Sequence, residues 1–369
     1  MTPKTFAGLA LVTVAVAAMA THGVVTRYGS SGVESARSLL FPDLADRINT
    51  AAELSVQNAE GTVVIKRSES GWRVATVHDY LAIDANVREA IIGLSQMKLV
   101  DAKTKQPERF GRLDLDDVTA KDSKSRLWRL KDADGKVLAE ILMGKRRFDL
   151  GGVEQNGIYV RKPGEQQTWL AQVKLPEDRD VMSWVDRKIV DIRKRRIKRT
   201  TTIAENGEAL TALRDIPDDE DYIVENLPSG FKLKDRWEWD VNGMGLTLTG
   251  MQFESVLPLV QAGKNFTAPS VEKAVVETHD GLILRFAMLK PDDDSNAPWW
   301  VTLEADVDPN VKAEPSGEGP DRIGGLEDVQ KEAKAINAKV KGWAYRIPES
   351  QLRSLRVRLA DIKAPASGS

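Results

Sequence analysis

Residues 41–100 constrain the fold more than any other stretch of this chain: FPDLADRINTAAELSVQNAEGTVVIKRSESGWRVATVHDYLAIDANVREAIIGLSQMKLV. Leu54 and Val56 alternate with polar neighbours, the period-two pattern of a half-buried strand. Residues 58–61 supply a turn, 62–67 a β-branched strand and 68–71 a second turn. Trp72 and Val74 then share one face of a third strand. Asp84 reads as a helix N-cap, with Ile83 before it. Val87, Ile91, Leu94 and Met97 follow at spacings of four, three and three, one face of a helix of about four turns. Gly93 weakens that helix slightly. A short meander cannot bury enough surface alone, so the helix has to cover it. This is a packing unit, and nothing in it reads as a reaction centre.

The rest of the chain repeats the same grammar. Residues 106–115 are loop-like around Phe110-Gly111-Arg112-Leu113. Residues 127–130 and 137–143 flank a turn at Asp134-Gly135 and form a hairpin. Residues 157–160 and 168–173 make another, and Pro176-Glu177 opens a short helix through Trp184. The second half has a strand at 200–204, then Glu205-Asn206-Gly207, a turn 146 residues after Ala59-Glu60-Gly61. A helical or apolar stretch ends in Leu248-Thr249-Gly250-Met251, as the first helix ends in Leu94-Ser95-Gln96-Met97. Residues 275–289, turning at Asp280-Gly281, match the Asp134-Gly135 hairpin at the same offset of 146. The offset drifts later, so insertions are needed. An internal duplication accounts for this, and chance coincidence of a common β–turn–β grammar is the alternative.

The added length in the second half is 306–340. Residues 309–319 form a loop rich in proline, glycine and glutamate, and Leu326, Val329, Ala333, Ile336 and Val340 line an amphipathic helix. The expected fold class is therefore α+β: two related units, each a mostly antiparallel β-meander packed against an amphipathic helix, after an N-terminal membrane or signal segment. The expected boundaries are 1–25 for that segment, 26–38 for a tether, 39–192 and 193–363 for the units, and 364–369 for a tail.

Phe6 to Val25 carries no permanent charge over twenty residues, enough helix to span about 30 Å of hydrocarbon. It reads as an uncleaved anchor, or as a signal peptide cut after Ala18-Met19-Ala20. Lys4 places the N-terminus in the cytoplasm, so either reading puts the bulk of the chain outside it. There is no cysteine, which excludes disulfides, thiolate metal sites and cysteine nucleophiles. With 53 basic against 55 acidic residues the net charge is −2, and no global basic surface speaks for nucleic acid.

Of the three histidines, His22 lies in the apolar leader, and His78 and His279 sit in or beside strands without metal-ligand spacing. No zinc-protease, nucleophile-elbow or phosphate-loop pattern occurs, and no catalytic residue, metal site or cofactor is expected. Asp218-Asp219-Glu220-Asp221 and Asp292-Asp293-Asp294 offer oxygen ligands but lack the calcium-loop spacing; they read as solvated turns. The distinctive cluster is basic: Arg187, Lys188, Arg193, Lys194, Arg195, Arg196, Lys198 and Arg199 fall within thirteen residues. One reading is contact with anionic headgroups of the inner membrane or an acidic partner. The other is a linker strand paired with the nearby acidic loops. Trp237/Trp239 and Trp299/Trp300 are candidate sugar-stacking platforms, set against the commoner role of tryptophan as a core anchor.

In their order, Leu40-Phe41-Pro42, Ile65-Lys66-Arg67, Gly71-Trp72-Arg73-Val74, the helix at 86–99, Phe110-Gly111-x-Leu113, Asn226-Leu227-Pro228 and Gly342-Trp343-x-Tyr345-x-Ile347-Pro348 resemble a bacterial family, domain-of-unknown-function family 4340. The resemblance covers roughly residues 38–362. His78-Asp79-Tyr80-Leu81-Ala82 departs from it in lacking a proline after the tyrosine. The resemblance implies a genomic association with ABC-type transport systems of the gliding-motility auxiliary kind and no catalytic residues. The expected function is a non-catalytic periplasmic accessory or scaffold, with the inner membrane and ABC transporter subunits as partners. A carbohydrate- or peptidoglycan-binding module is the alternative, and a carboxylate-based envelope hydrolase, whose acid pair would be set by three-dimensional spacing, is the last.

Overall fold

Two alternating runs, at 51–57 and 197–203, become the central strands of two antiparallel sheets. The computed structural model describes residues 38–366 apart from 148–155, 179, 247, 269–270 and 291–296. The apolar leader, all but one residue of the tether and the Asp292-Asp293-Asp294 run lie outside the described residues. Two compact units divide between Val185 and Asp186. Every strand pairing among the described residues is antiparallel, and the fold is mixed α+β with few helices. No helix among the described residues is long and apolar enough to cross a membrane.

The first unit contains β1 (Ala51–Gln57), β2 (Thr62–Ser68), β3 (Gly71–Val74), β4 (Tyr80–Leu81), α1 (Asp84–Gln96), β5 (Lys98–Ala102), β6 (Arg126–Asp132), β7 (Val137–Arg147), β8 (Asn156–Arg161) and β9 (Thr168–Val173). Their order is β4-β3-β2-β1-β6-β7-β8-β9-β5. Leu54 lies opposite Ile65 on one side and Leu130 on the other, and all three are fully buried. Val87, Ile91, Leu94 and Met97 are buried as their spacing predicts.

Three local details differ from the sequence reading. Asp84 is the first helical residue, and its carboxylate accepts the Trp72 amide at 3.1 Å. It therefore ties the helix to β3 instead of capping it, while still placing negative charge at the helix start. The segment 176–184 forms only a 3-10 turn, Val181–Trp184, among its described residues. Trp184 is fully buried edge-on to Trp128 at 5.6 Å, and its carbonyl accepts the Ile83 amide at 2.8 Å. The backbone that would extend a helix is spent on the core. Gly93 is a requirement of packing, because a Cβ there would lie 2.2 Å from the Lys174 carbonyl oxygen.

The second unit contains β10 (Lys188–Val190), β11 (Ile197–Ile203), β12 (Ala209–Leu213), β13 (Ile223–Val224), β14 (Phe231–Leu233), α2 (Trp237–Met244), β15 (Met251–Gln252), β16 (Ser255–Pro258), β17 (Glu272–Thr278), β18 (Leu282–Leu289), β19 (Trp299–Val307), α3 (Leu326–Val340), β20 (Trp343–Ile347) and β21 (Lys363–Pro365). Its main sheet runs β13-β12-β11-β17-β18-β19-β20-β16, with β10–β15 and β14–β21 as two small extra pairs. Helix α2 stops at Met244, and Met251 belongs to a strand instead of a helix end. Ala364 and Pro365, expected in a tail, pair with β14.

Helix α3 buries Val329, Ala333 and Val340, leaving Leu326 partly exposed. Strand β20 pairs with β19 only as far as Val301. Beyond that point the Asn337 amide completes the edge: it accepts the Ala305 N–H at 2.9 Å and donates to the Ala305 carbonyl at 2.7 Å. An inserted helix thus stands in for a missing stretch of strand.

Alanine exceeds glycine in helix propensity by about 1 kcal/mol, so Gly93→Ala would stabilise an isolated helix. Here it should destabilise by about 1–3 kcal/mol through the clash with Lys174. Urea unfolding of the full chain measures this; an unchanged or raised midpoint contradicts the packing described.

Candidate functional site

The charged segment at 187–199 is built on four buried anchors, Ile189, Val190, Ile192 and Ile197. They hold β10, a 3-10 turn at Lys194–Arg196 and the start of β11, and the cations emerge between them. The structure gives most of these cations partners inside the second unit. Arg187 donates to the Phe253 carbonyl at 2.7 Å, and Lys188 pairs with Asp191 at 3.1 Å. That hydrogen bond, with the Gly250 amide and Arg193 beside it, holds the Asp191 carboxyl below its ordinary range despite some burial. Arg193 lies 3.9 Å from the same carboxylate. Lys194 donates to the Glu220 carbonyl at 2.5 Å, and Arg195 pairs with Asp218 at 2.7 Å. Arg199 meets Glu225 at 3.1 Å and Glu277 at 3.4 Å. Lys198 has no ion pair among the described residues.

Arg196 is different in kind. Its side chain is 9% exposed and contacts Asp280, which is fully buried, at 3.0 Å. Glu332 of α3 closes the other side with two hydrogen bonds of 3.0 and 2.7 Å. Burial opposes the Arg196 charge, but the hydrogen bonds and charges of Glu332 and Asp280 more than offset it and raise its pKa. Asp280 also accepts the Gly324 amide at 3.0 Å and the Thr278 hydroxyl. One carboxylate in a tight turn therefore joins the start of β11, the end of β17 and the loop before α3. A second buried carboxylate, Glu272, accepts from Arg356 at 2.7 Å and from Arg358. Arg356 lies flat over Trp299, 3.4 Å from the ring centre, and reaches Glu349 at 3.1 Å. Sequence reading found neither hub, since the partners are 84 to 136 residues apart and no local pattern joins them.

Beside the first hub sit His279, Arg214 and Tyr222. Arg214 stacks 4.9 Å from the Tyr222 ring centre, and the Tyr222 hydroxyl donates to the Ile197 carbonyl at 2.9 Å. Burial pushes the Tyr222 pKa up to about 12. Burial, then the charges of Arg214 and Lys198, pushes His279 down to about 4. Its Nε2 has no hydrogen-bond partner among the described residues. His78 is exposed in a left-handed turn with Asp79. No group of acidic, histidine or cysteine side chains among the described residues is placed to hold a metal ion. Asp218, considered as a calcium ligand, is engaged by Arg195 instead, and Glu220 meets Lys194 through its backbone carbonyl. Of the nine tryptophans only Trp239 is exposed, at 76%, and Trp299 is buried beneath Arg356.

In the first unit a recess of about 790 Å³ forms a groove beside α1, lined by Leu39, Arg88, Ile92, Gly93, Lys98 and Lys174 among others. Its walls carry no paired carboxylates beyond Glu89, which meets Lys174 at 3.5 Å.

A family model described as a domain of unknown function, DUF4340, matches residues 72–265, more than half of the chain. The chain belongs to that family. The matched span begins in β3 and ends before β17, so it draws on both units. No curated protein and no solved structure gives a match.

His279 carries a sign-definite pH prediction. Its folded pKa near 4 lies below the ordinary 6.5, so between these values the unfolded chain binds the extra proton. This contribution to stability is intact above pH 6.5 and is lost as the pH falls towards 4. His279→Gln should flatten the fall of the urea midpoint across that window relative to the parent chain. An unchanged slope rules out burial of a neutral histidine.

Proposed function

We propose that this protein is a non-catalytic accessory or scaffold of the cell envelope, held to the inner membrane by its N-terminal segment, with its two units in the periplasm, serving an ABC-type transport system. The observation that carries this reading is the state of the most charged segment. Lys188, Arg195, Arg196 and Arg199 are engaged by Asp191, Asp218, Glu225, Glu277, Asp280 and Glu332, all within one unit. Groups committed to one another at 2.7–3.4 Å serve to hold strands and helices in place. The linker-strand reading of the basic run follows from the same pairing.

The two units are, in the same proposal, copies of one ancestral unit. Ala51 faces Asp132 and Ile197 faces Thr278, each followed by a bulge. Leu54 faces Leu130 and Thr200 faces Val276. All four positions of the first unit recur 146 residues later in the second. At the next position the ion pair Glu53–Lys131, at 2.9 Å, is answered by Arg199–Glu277, at 3.4 Å, with the signs exchanged. Helix α3 falls within the added length at 306–340.

Purification of the full chain in mild detergent tests the functional part. Permease and ATPase subunits should accompany it in comparable amounts, identified by mass spectrometry. Recovery of the chain alone, under conditions that keep other envelope complexes whole, contradicts the proposal.

A further inference from the structure

A second basic cluster, on the first unit, has the opposite character. Lys103, Lys105, Arg109 and Arg112 line a recess of about 550 Å³ with Thr104, Gln106 and Leu113. Lys103 pairs with Asp101. Among the described residues, Lys105, Arg109 and Arg112 make no side-chain hydrogen bond or ion pair, and all three are exposed. The three cations outnumber the nearby Glu108, so like charges repel one another there, and an incoming anion relieves that repulsion. The cluster lines a concave surface, and Thr104 and Gln106 add polar groups to its wall.

The recess is also rigidly framed. At its start Lys103 N–H donates to the Thr168 carbonyl at 2.8 Å, and Thr168 N–H and hydroxyl both donate to the Thr104 carbonyl, at 3.0 and 2.8 Å. The Gln106 N–H donates to the Thr104 hydroxyl at 3.0 Å. The 3-10 turn Pro107–Leu113 follows, pinned by buried Phe110. The Arg161 guanidinium lies 4.6 Å from the Phe110 ring centre and donates to the Leu115 carbonyl at 3.0 and 2.9 Å. At the far end Lys145 donates to the Arg112 carbonyl at 2.8 Å. A Cβ on Gly144 would lie 2.0 Å from the Leu113 carbonyl oxygen, so β7 presses directly on the turn. The backbone is fixed while the tips of Lys105, Arg109 and Arg112 stay free, the arrangement a preorganised anion site needs.

Chain direction suggests where the anion comes from. Leu39 bridges Lys98 antiparallel, Leu40 N–H donates to the Met97 carbonyl and Leu99 N–H to the Ser38 carbonyl. At residues 38–40 the chain therefore runs antiparallel to the start of β5, directed away from its Lys103 end. Twelve residues separate Val25 from Ser38, a reach of at most about 40 Å.

We propose that Lys103, Lys105, Arg109 and Arg112 form a phosphate-binding recess that seats the headgroup of an anionic phospholipid. The headgroup source rests on the anchored reading given above; the phosphate chemistry does not. Guanidinium groups bind phosphate oxygens in a bidentate fork, and each cation near an anionic surface adds to the attraction.

Hydrogen exchange of the 103–113 amides in the full chain provides the test, in three settings: neutral phosphatidylcholine nanodiscs, nanodiscs containing phosphatidylglycerol, and detergent with inorganic phosphate. Exchange should slow by about threefold or more in the phosphatidylglycerol discs relative to the neutral ones. The variant Lys105→Gln/Arg109→Gln/Arg112→Gln, whose side chains hold nothing in the fold, should lose that slowing while keeping its urea midpoint. Equal slowing by phosphate in detergent, with no dependence on lipid charge, overturns the headgroup and assigns the recess to a soluble phosphate. No slowing in any setting overturns the recess itself. N-terminal sequencing of the mature protein reads anchoring separately: a start at Thr21 removes the anchor, and the phosphate arm then decides the site.

Discussion

In each unit the first strand must satisfy its backbone on both edges, and the remaining architecture follows from that. Strand β1 takes β2 on one side through a four-residue turn, a local step. Its other edge waits for β6, whose paired residues lie seventy or more positions away. Everything between them, including α1 and the 107–113 turn, is therefore laid over or around the sheet before it can close. The same holds for β11, flanked by β12 and β17. Unpaired backbone groups in a buried central strand cost too much to leave open, so the long-range pairing is obligatory. Sheets closed by distant strands form slowly, and the local hairpins give them a start.

The ion hubs are subordinate to that frame and still discriminate between arrangements. A lone exposed pair such as Lys188–Asp191 contributes about 0–1 kcal/mol. Asp280 has no access to water, so its charge tolerates only the geometry that brings Arg196, Thr278 and the Gly324 amide to it. The carboxylate thereby fixes where the added segment of the second unit docks. Asn337, completing the open edge of β19, does the same for α3 with neutral groups.

Strands and turns were readable in the sequence because their causes are local. The alternation at 54–56, the turn residues at 58–61 and the apolar spacing from Val87 to Met97 each act within a few positions. Where a residue answers to something distant, the reading went astray. Asp84 looks like a cap by its neighbours but serves the Trp72 amide twelve residues back. Gly93 looks like a weak point in a helix but marks the approach of the Lys174 carbonyl. Residues 176–184 look helical but are drawn into the core by Trp184. The stretch ending at Leu248-Thr249-Gly250-Met251 looks helical or apolar, but the helix before it stops at Met244 and Met251 lies in a strand.

Charge density along the chain was the most conspicuous feature bearing on function, and the least informative by itself. The run from Arg187 to Arg199 holds eight cations, yet folding brings acidic groups from four other segments to Arg195, Arg196 and Arg199, while Asp191 within the run takes Lys188. The cluster from Lys103 to Arg112 is sparser and includes Glu108, so it does not stand out in a linear count. What separates them is the disposition of the backbone. β11 lies in the middle of a sheet, where strands and loops crowd in with carboxylates. The 107–113 turn projects past the end of β5, where Asp101 takes Lys103 but the side chains of Lys105, Arg109 and Arg112 find no carboxylate among the described residues. A cation becomes available to an outside ligand when the fold supports its main chain and leaves its tip unpaired, and that condition is met by the sparser cluster.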